Sequence, residues 1–250
     1  MNSDINYIIQ NPVGQVFALA KLTEEGEQRN NNYEGSDFIT SENGDGTLTI
    51  TDYIGTTKNL SVPYKINGKL VTEIGNSSFA NKSLTNVVIP PSVSRIGYSA
   101  FAYNDLSSVN IPNGVVTIQD NAFDGNKLTS VTFGSGLKTI GNGAFHNNKI
   151  TSLTIPNNVT SIGNSSFKDN DIKTLTIGNG VTNIGELAFD GNQLMSLVLG
   201  NNIETIGNGA FHNNRLRSLT IPNSVTTIGD SAFKDNNIRT LTIGDGVKSI

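Results

Sequence analysis

Any chemistry in this chain would have to start from His146 and His212, its two histidines, and from the acid- and glycine-rich turns around them. They lie 66 residues apart inside two copies of one octapeptide, Gly-Asn-Gly-Ala-Phe-His-Asn-Asn at 141–148 and 207–214. Sixty-six residues will prove to be three structural repeats. At the spacing of stacked strands that separates the imidazoles by about 14 Å. Ligands of one metal sit about 2 Å from it, so the pair cannot share an ion. The simplest reading is two copies of one surface residue. No Gly-x-Ser-x-Gly turn supplies a serine nucleophile. Gly141-Asn142-Gly143 does not complete Gly-x-Gly-x-x-Gly, because His146 takes the last position. No P-loop, His-Glu-x-x-His or calcium loop is present. Asp45, Asp124 and Asp190 adjoin glycines as turn residues do. The sequence assigns no catalytic residue and calls for no metal or cofactor.

Composition narrows the field further. Cys is absent from all 250 residues, which removes disulfides, thiolate metal sites and cysteine nucleophiles. The formal charge of −4 argues against binding nucleic acid by phosphate neutralisation. No run approaches the ~18 apolar residues of a membrane span, so no membrane insertion is expected. The start, Met1-Asn2-Ser3-Asp4, has no basic leader region, and no signal peptide is read there.

What positions these residues is a repeat of 22. Phenylalanine recurs at Phe79, Phe101, Phe123, Phe145, Phe167, Phe189, Phe211 and Phe233. Isoleucine stands five residues before each of them, and apolar residues follow at five, eight, ten and fourteen. Such registers predict a solenoid whose coils bury their apolar residues by stacking on one another. The segment Leu153-Thr154-Ile155-Pro156 alternates and reads as a short strand closed by a turn. A second extended piece, such as Val159–Ile162, crosses the other side. A glycine follows it in seven of eight coils, Gln119 being the exception, and is expected to serve a turn with positive φ. Ala-Phe then closes the coil in a turn that is helical for one turn at most. The phenylalanines should form a stacked internal spine. Asn104, Asn126, Asn148, Asn170, Asn192, Asn214 and Asn236, three residues after Phe, should bridge the backbones of successive coils.

The strand residues that point outward form a ladder of small hydroxyls. The candidate ligand surface is Thr132, Thr154, Thr176, Thr220 and Thr242, bordered by Lys173, Arg217 and Arg239, with Arg215 beside them. The three cations of the border could seek anions. β-Branched Thr also suits any strand, and Thr-x-Thr arrays suit ice surfaces, although many positions here are Ser. The face lacks Trp and Tyr, the common anchors of protein interfaces. Any aromatic contact site is expected near Tyr53, Tyr64, Tyr98 and Tyr103.

The coil Ile140-Gly141-x-x-Ala144-Phe145-x-x-Asn148-x-Ile150-x-x-Leu153-x-Ile155-Pro156-x-x-Val159 resembles the BspA-like leucine-rich-repeat family over about residues 70–250. Asp45–Thr51, Leu60–Pro63 and Ile66–Lys69 also look like that family's N-terminal cap. The resemblance implies a fold that is α/β by leucine-rich-repeat convention, strand-rich with little regular helix: a right-handed solenoid with an N-terminal β cap. It implies a non-catalytic adhesion or protein-binding module at the cell surface or secreted. The partner would be a protein, from the extracellular matrix or another copy of this chain. The alternative is a structural protein whose solenoids pack end to end into oligomers or fibres. Relatives commonly carry one residue more per coil, so curvature does not transfer. Residues 1–33 read as a leading segment, with an apolar stretch from Val13 to Leu22 and a polar linker at 23–35. Residues 34–70 read as the cap and 71–250 as eight coils, whose last, at Ile250, is uncapped or truncated.

Overall fold

A computed structural model describes residues 5–7, 20–22 and 37–249. The polar linker, most of the apolar stretch before it and Ile250 lie outside these. Strands β1 (Ile5–Tyr7) and β2 (Ala20–Leu22) pair antiparallel. The cap begins with β3 (Phe38–Glu42) and β4 (Leu48–Tyr53), an antiparallel hairpin with a register shift at Ile39/Thr40. Then come β5 (Asn59–Ser61), β6 (Lys65–Ile66) and β7 (Lys69–Ile74). β6 folds back antiparallel on β7, while β4 runs parallel to it.

From β8 (Asn86–Val88) and β9 (Arg95–Ile96) onward two strand types alternate. Long ones, such as Ser108–Ile111 and Ser152–Ile155, have alternating buried and exposed residues. Short ones, such as Thr117–Ile118 and Ser161–Ile162, bury their isoleucine. Every repeat pairing is parallel and joins residues 22 apart, as Leu153 with Leu175 and Ile140 with Ile162. The short strands continue β3, β4, β7 and β9 into one long sheet, and the long ones form a second stack in four segments. The result is a parallel β-solenoid of about nine turns, helix-free among the described residues. It has one turn more than the eight phenylalanine cycles, because β4 and β5 already occupy the two strand columns.

The phenylalanine rings stack face to face inside, with centroids 5.0–5.4 Å apart and planes within 10° of parallel. Seven of the eight, Phe79 to Phe211, are fully buried. Their backbones interlock too: Phe145 N–H donates to the Ser166 carbonyl of the next coil at 2.8 Å. At the N-terminal end the column is closed by two rings outside the repeat. Tyr53 packs on Phe79 at 5.6 Å, and Phe38 on both at 5.3 and 6.4 Å. This corrects the expectation of an exposed aromatic at Tyr53. The residue is 1% exposed, and its hydroxyl is held by the backbone of Thr57. Tyr64, Tyr98 and Tyr103 do reach solvent.

The repeated glycine is not where the backbone turns left-handed. Gly163, after the short strand, is needed for contact: a Cβ there would sit 2.6 Å from the backbone of Gly141 and Asn142 in the preceding coil. Positive φ falls instead two residues before and two residues after each phenylalanine. Ser77, Asn121, Gly143 and Leu187 belong to the first set, and Asn81, Tyr103, Gly125 and Asp169 to the second. A leucine in that region is costly, about 1–2 kcal/mol, whereas Asn visits it readily. Leu187, at φ 55°, is three coils from Asn121. Leu187→Asn is therefore expected to raise unfolding stability by about 0.5–1 kcal/mol, seen as a higher urea midpoint at unchanged slope.

Candidate functional site

The seven asparagines are structural clamps between coils. Each amide nitrogen donates to the phenylalanine carbonyl of the preceding coil at 2.8–3.0 Å. Each side-chain oxygen accepts the N–H of the Leu or Ile twenty residues earlier, in the preceding coil, at 2.9–3.2 Å. Inside such a stack no water can take over these bonds, so the amide is the cheapest group that satisfies all of them. Two further ladders, not singled out in the sequence, run along the exposed turns. Asn142 and Asn164 accept the N–H of residues 164 and 186, and Asn157 and Asn179 those of residues 179 and 201, at 2.8–2.9 Å. Their signal was the recurrence of Asn or Asp three residues before Phe and one or two after the Pro/Gly turn.

The two histidines occupy one edge of the solenoid, next to the phenylalanine turn. His146 Nδ1 lies 2.9 Å from Asp124 Oδ1 of the coil before, and its Nε2 lies 3.4 Å from Asp169 Oδ2 of the coil after. His212 repeats this with Asp190 at 2.8 Å and Asp235 at 2.9 Å. The Asp–His geometry resembles the acid–base half of a catalytic triad. A carboxylate, not a hydroxyl, faces each Nε2, so the imidazole has no nucleophile to activate. Among the described residues no three His, Cys, Asp or Glu converge as a metal site. The groove beside His146, about 480 Å³, is lined by Asn121, Asn142, Gly143, Asn164, Ser165 and Lys168.

Asp190 is the buried hub of this edge, with Lys168 Nζ at 2.5 Å as well as His212. Burial opposes its ionisation, but hydrogen bonds from Lys168 and His212 outweigh burial and hold the carboxyl below its usual range. Its ionised form is thus favoured by folding. That stability is present above the unfolded carboxyl pKa of about 4 and is lost as pH falls through the lower folded value. The wild-type protein is expected to exceed Asp190→Asn by about 1–2 kcal/mol at neutral pH. Denaturant melts should show the gap closing below about pH 4.

The long-strand stack presents the hydroxyl ladder. Thr132, Thr154, Thr176, Thr220 and Thr242 are all exposed and stand on successive or near-successive rungs. Thr154 pairs in register with Thr176, and Thr220 with Thr242. Thr132 is spent on Asn110 at 2.6 Å, and Ser152 on Thr174 at 2.8 Å. Among the described residues the hydroxyls of Thr154, Thr176, Thr220 and Thr242 make no hydrogen bond. Val88 and Val198 interrupt the ladder and are each more than half exposed. Lys173, Arg217 and Arg239 border it, all exposed. The face has no charge at its centre, and beneath it Leu153, Ile155, Leu175, Ile177, Leu219 and Ile221 are buried.

The family model described as a BspA type leucine rich repeat region matches in six copies, over residues 72–196 and 182–250. Among solved structures, a leucine-rich repeat protein of T. pallidum is 28% identical with a TM-score of 0.66. The match covers 71% of this chain and 86% of that one. A leucine-rich cell surface protein of Faecalibacterium prausnitzii A2-165 is 26% identical with a TM-score of 0.60, over 85% of this chain and 54% of its own. A leucine-rich repeat protein of Bacteroides ovatus, 20% identical with a TM-score of 0.59, shares the fold over 86% of this chain and 77% of its own. No curated protein sequence matches this chain.

Proposed function

Because the chain belongs to the BspA-type leucine-rich repeat family, we propose that it is a non-catalytic binding module of a bacterial cell-surface protein, with the long-strand face as its docking surface for an extracellular protein. The observation that carries this reading is the face itself. It is an exposed, uncharged hydroxyl surface in regular rungs, held over a rigid core, with free hydroxyls at Thr154 and Thr176. A rigid surface loses little entropy when a partner docks. The surface description of the F. prausnitzii relative supports the location. Among the described residues no helix is long and apolar enough to cross a membrane.

The test is binding of the full chain to immobilised extracellular-matrix proteins, against Thr154→Gln/Thr176→Gln, which adds bulk without charge. Wild type should bind, and the double variant should lose about tenfold or more, equivalent to about 1.4 kcal/mol. Equal binding by both, or none by either, would overturn the reading. A second reading is end-to-end assembly. Among the described residues strand Thr240–Ile243 pairs on one side only, with Leu241 52% and Ile243 42% exposed. Such an edge accepts another rung, and sedimentation at rising concentration would reveal growing mass.

A further inference from the structure

We propose that the row Lys173, Arg215, Arg217 and Arg239 binds a linear sulfated polysaccharide. The proposal rests on reading the long-strand face as the binding face, and it assigns a ligand class to that face's charged border. The starting observation is the lack of partners. Lys82, Arg95, Lys127 and Lys168 each find a carboxylate, on Asp52, Glu73, Asp105 and Asp190. Among the described residues the four cations of this row form no ion pair and no side-chain hydrogen bond.

Their placement is set by the rungs. Arg217 and Arg239 immediately precede the paired strands Ser218–Ile221 and Thr240–Ile243, and Arg239 N–H donates to the Arg217 carbonyl at 2.8 Å. The two side chains therefore leave the backbone one strand spacing apart, about 5 Å. Arg215 shares the outward side of Arg217, with buried Leu216 between them. Lys173 stands in the same column two coils earlier, beyond the uncharged Met195. Like charges on adjoining strands repel, and among the described residues no carboxylate pairs with these four. Asp171, two residues before Lys173, is engaged by Gln193 Nε2 at 2.6 Å.

The chemistry of the row selects its ligand. Guanidinium groups bind sulfate and other oxyanions in forked, two-bond fashion. One rung matches the length of about one sugar ring, so successive anionic sugars would meet successive cations. The hydroxyls of Ser218 and Thr240, each the next residue along, are placed to bond sugar hydroxyls. Nucleic acid fits less well. The row holds four cations on a chain of net charge −4, with no aromatic side chain on this face for a base to stack upon.

The experiment titrates the full chain with a size-defined heparin oligosaccharide, an unsulfated hyaluronan oligosaccharide and duplex DNA. Arg217→Ser/Arg239→Ser is the test variant, its fold checked by thermal melting. Wild type should bind the heparin oligosaccharide, weakening on the order of 10- to 100-fold between about 50 and 200 mM salt. The double variant should bind it at least about tenfold more weakly, while Thr154→Gln/Thr176→Gln binds it as wild type does. Hyaluronan and DNA should bind more weakly than heparin. No heparin binding, equal binding by the arginine variant, or DNA or hyaluronan as tight as heparin would overturn the proposal. Loss of matrix-protein binding in the glutamine pair, with heparin binding kept, separates the two readings. So does the converse.

Discussion

Phe145→Ala should lower the unfolding free energy by about 3–5 kcal/mol, the cost of deleting a large aromatic side chain from a core. Phe145 is fully buried between Phe123 and Phe167, each ring 5.2 Å away and within 6° of parallel. Phe133 meets it edge-on at 5.6 Å. The substitution opens a void with three aromatic walls and removes three ring contacts, each worth about 0.5–1.5 kcal/mol beyond area burial. The backbone cannot collapse to fill it. Phe145 N–H is bonded to Ser166 and Phe123 N–H to Ala144, and these bonds hold the coils at fixed spacing. Equilibrium urea unfolding should show the loss, and Phe145→Leu should restore more than half of it. A melt of Phe145→Ala superimposable on wild type would show that the ring column contributes nothing to coil cohesion. In a repeat protein the defect should also be local, because each coil touches only its neighbours. Hydrogen exchange should then rise at coils next to Phe145 more than at Phe79.

The second large effect belongs to Asn148. Its amide nitrogen donates to the carbonyls of Phe123, Phe145 and His146 at 3.0–3.2 Å, and its oxygen accepts Leu128 N–H at 3.0 Å. The side chain is 2% exposed. Asn148→Ala leaves Leu128 N–H and the Phe123 carbonyl without partners in a dry interior. Each orphaned group costs about 1–3 kcal/mol, so a total of about 2–6 kcal/mol is expected. Asn148→Asp should be at least as damaging at neutral pH, because a carboxylate would face carbonyl oxygens where a donor is required. Thr151→Ala, on the exposed surface, should stay within about 0.5 kcal/mol. Chemical denaturation of the three variants side by side decides the matter. Near-equal midpoints for Asn148→Ala and Thr151→Ala would remove the clamp role.

Both effects trace to positions identical in nearly every coil, and those are the positions a period of 22 exposes. The isoleucine, phenylalanine and leucine registers imply parallel strands paired 22 residues apart, and Leu153 with Leu175 does so pair. A solenoid must put the same register position of each coil at the same place in space, so the ring column and the hydroxyl ladder followed directly. The fold class and family resemblance stood on the same footing. Local backbone geometry was less legible. Glycine after the short strand suggested positive φ, but a missing side chain can serve a bend or a close contact alike. Only the proximity of Gly163 to Asn142 shows which. The left-handed positions escaped notice because Ser, Asn, Asp, Tyr and Leu fill most of them.

By itself, then, the sequence determined everything that translation by one coil preserves: strand type, inward and outward faces, the buried column and the amide ladder. The tertiary structure decided what breaks that symmetry. It turned Tyr53 and Phe38 inward to close the column, set each histidine between two carboxylates, and left Lys173, Arg215, Arg217 and Arg239 without ion pairs among the described residues. The physical reason is that these outcomes depend on which unlike residues meet across neighbouring coils and at the cap. A periodic pattern carries no information about such meetings, whereas rungs about 5 Å apart bring some charges into contact and keep others out of reach.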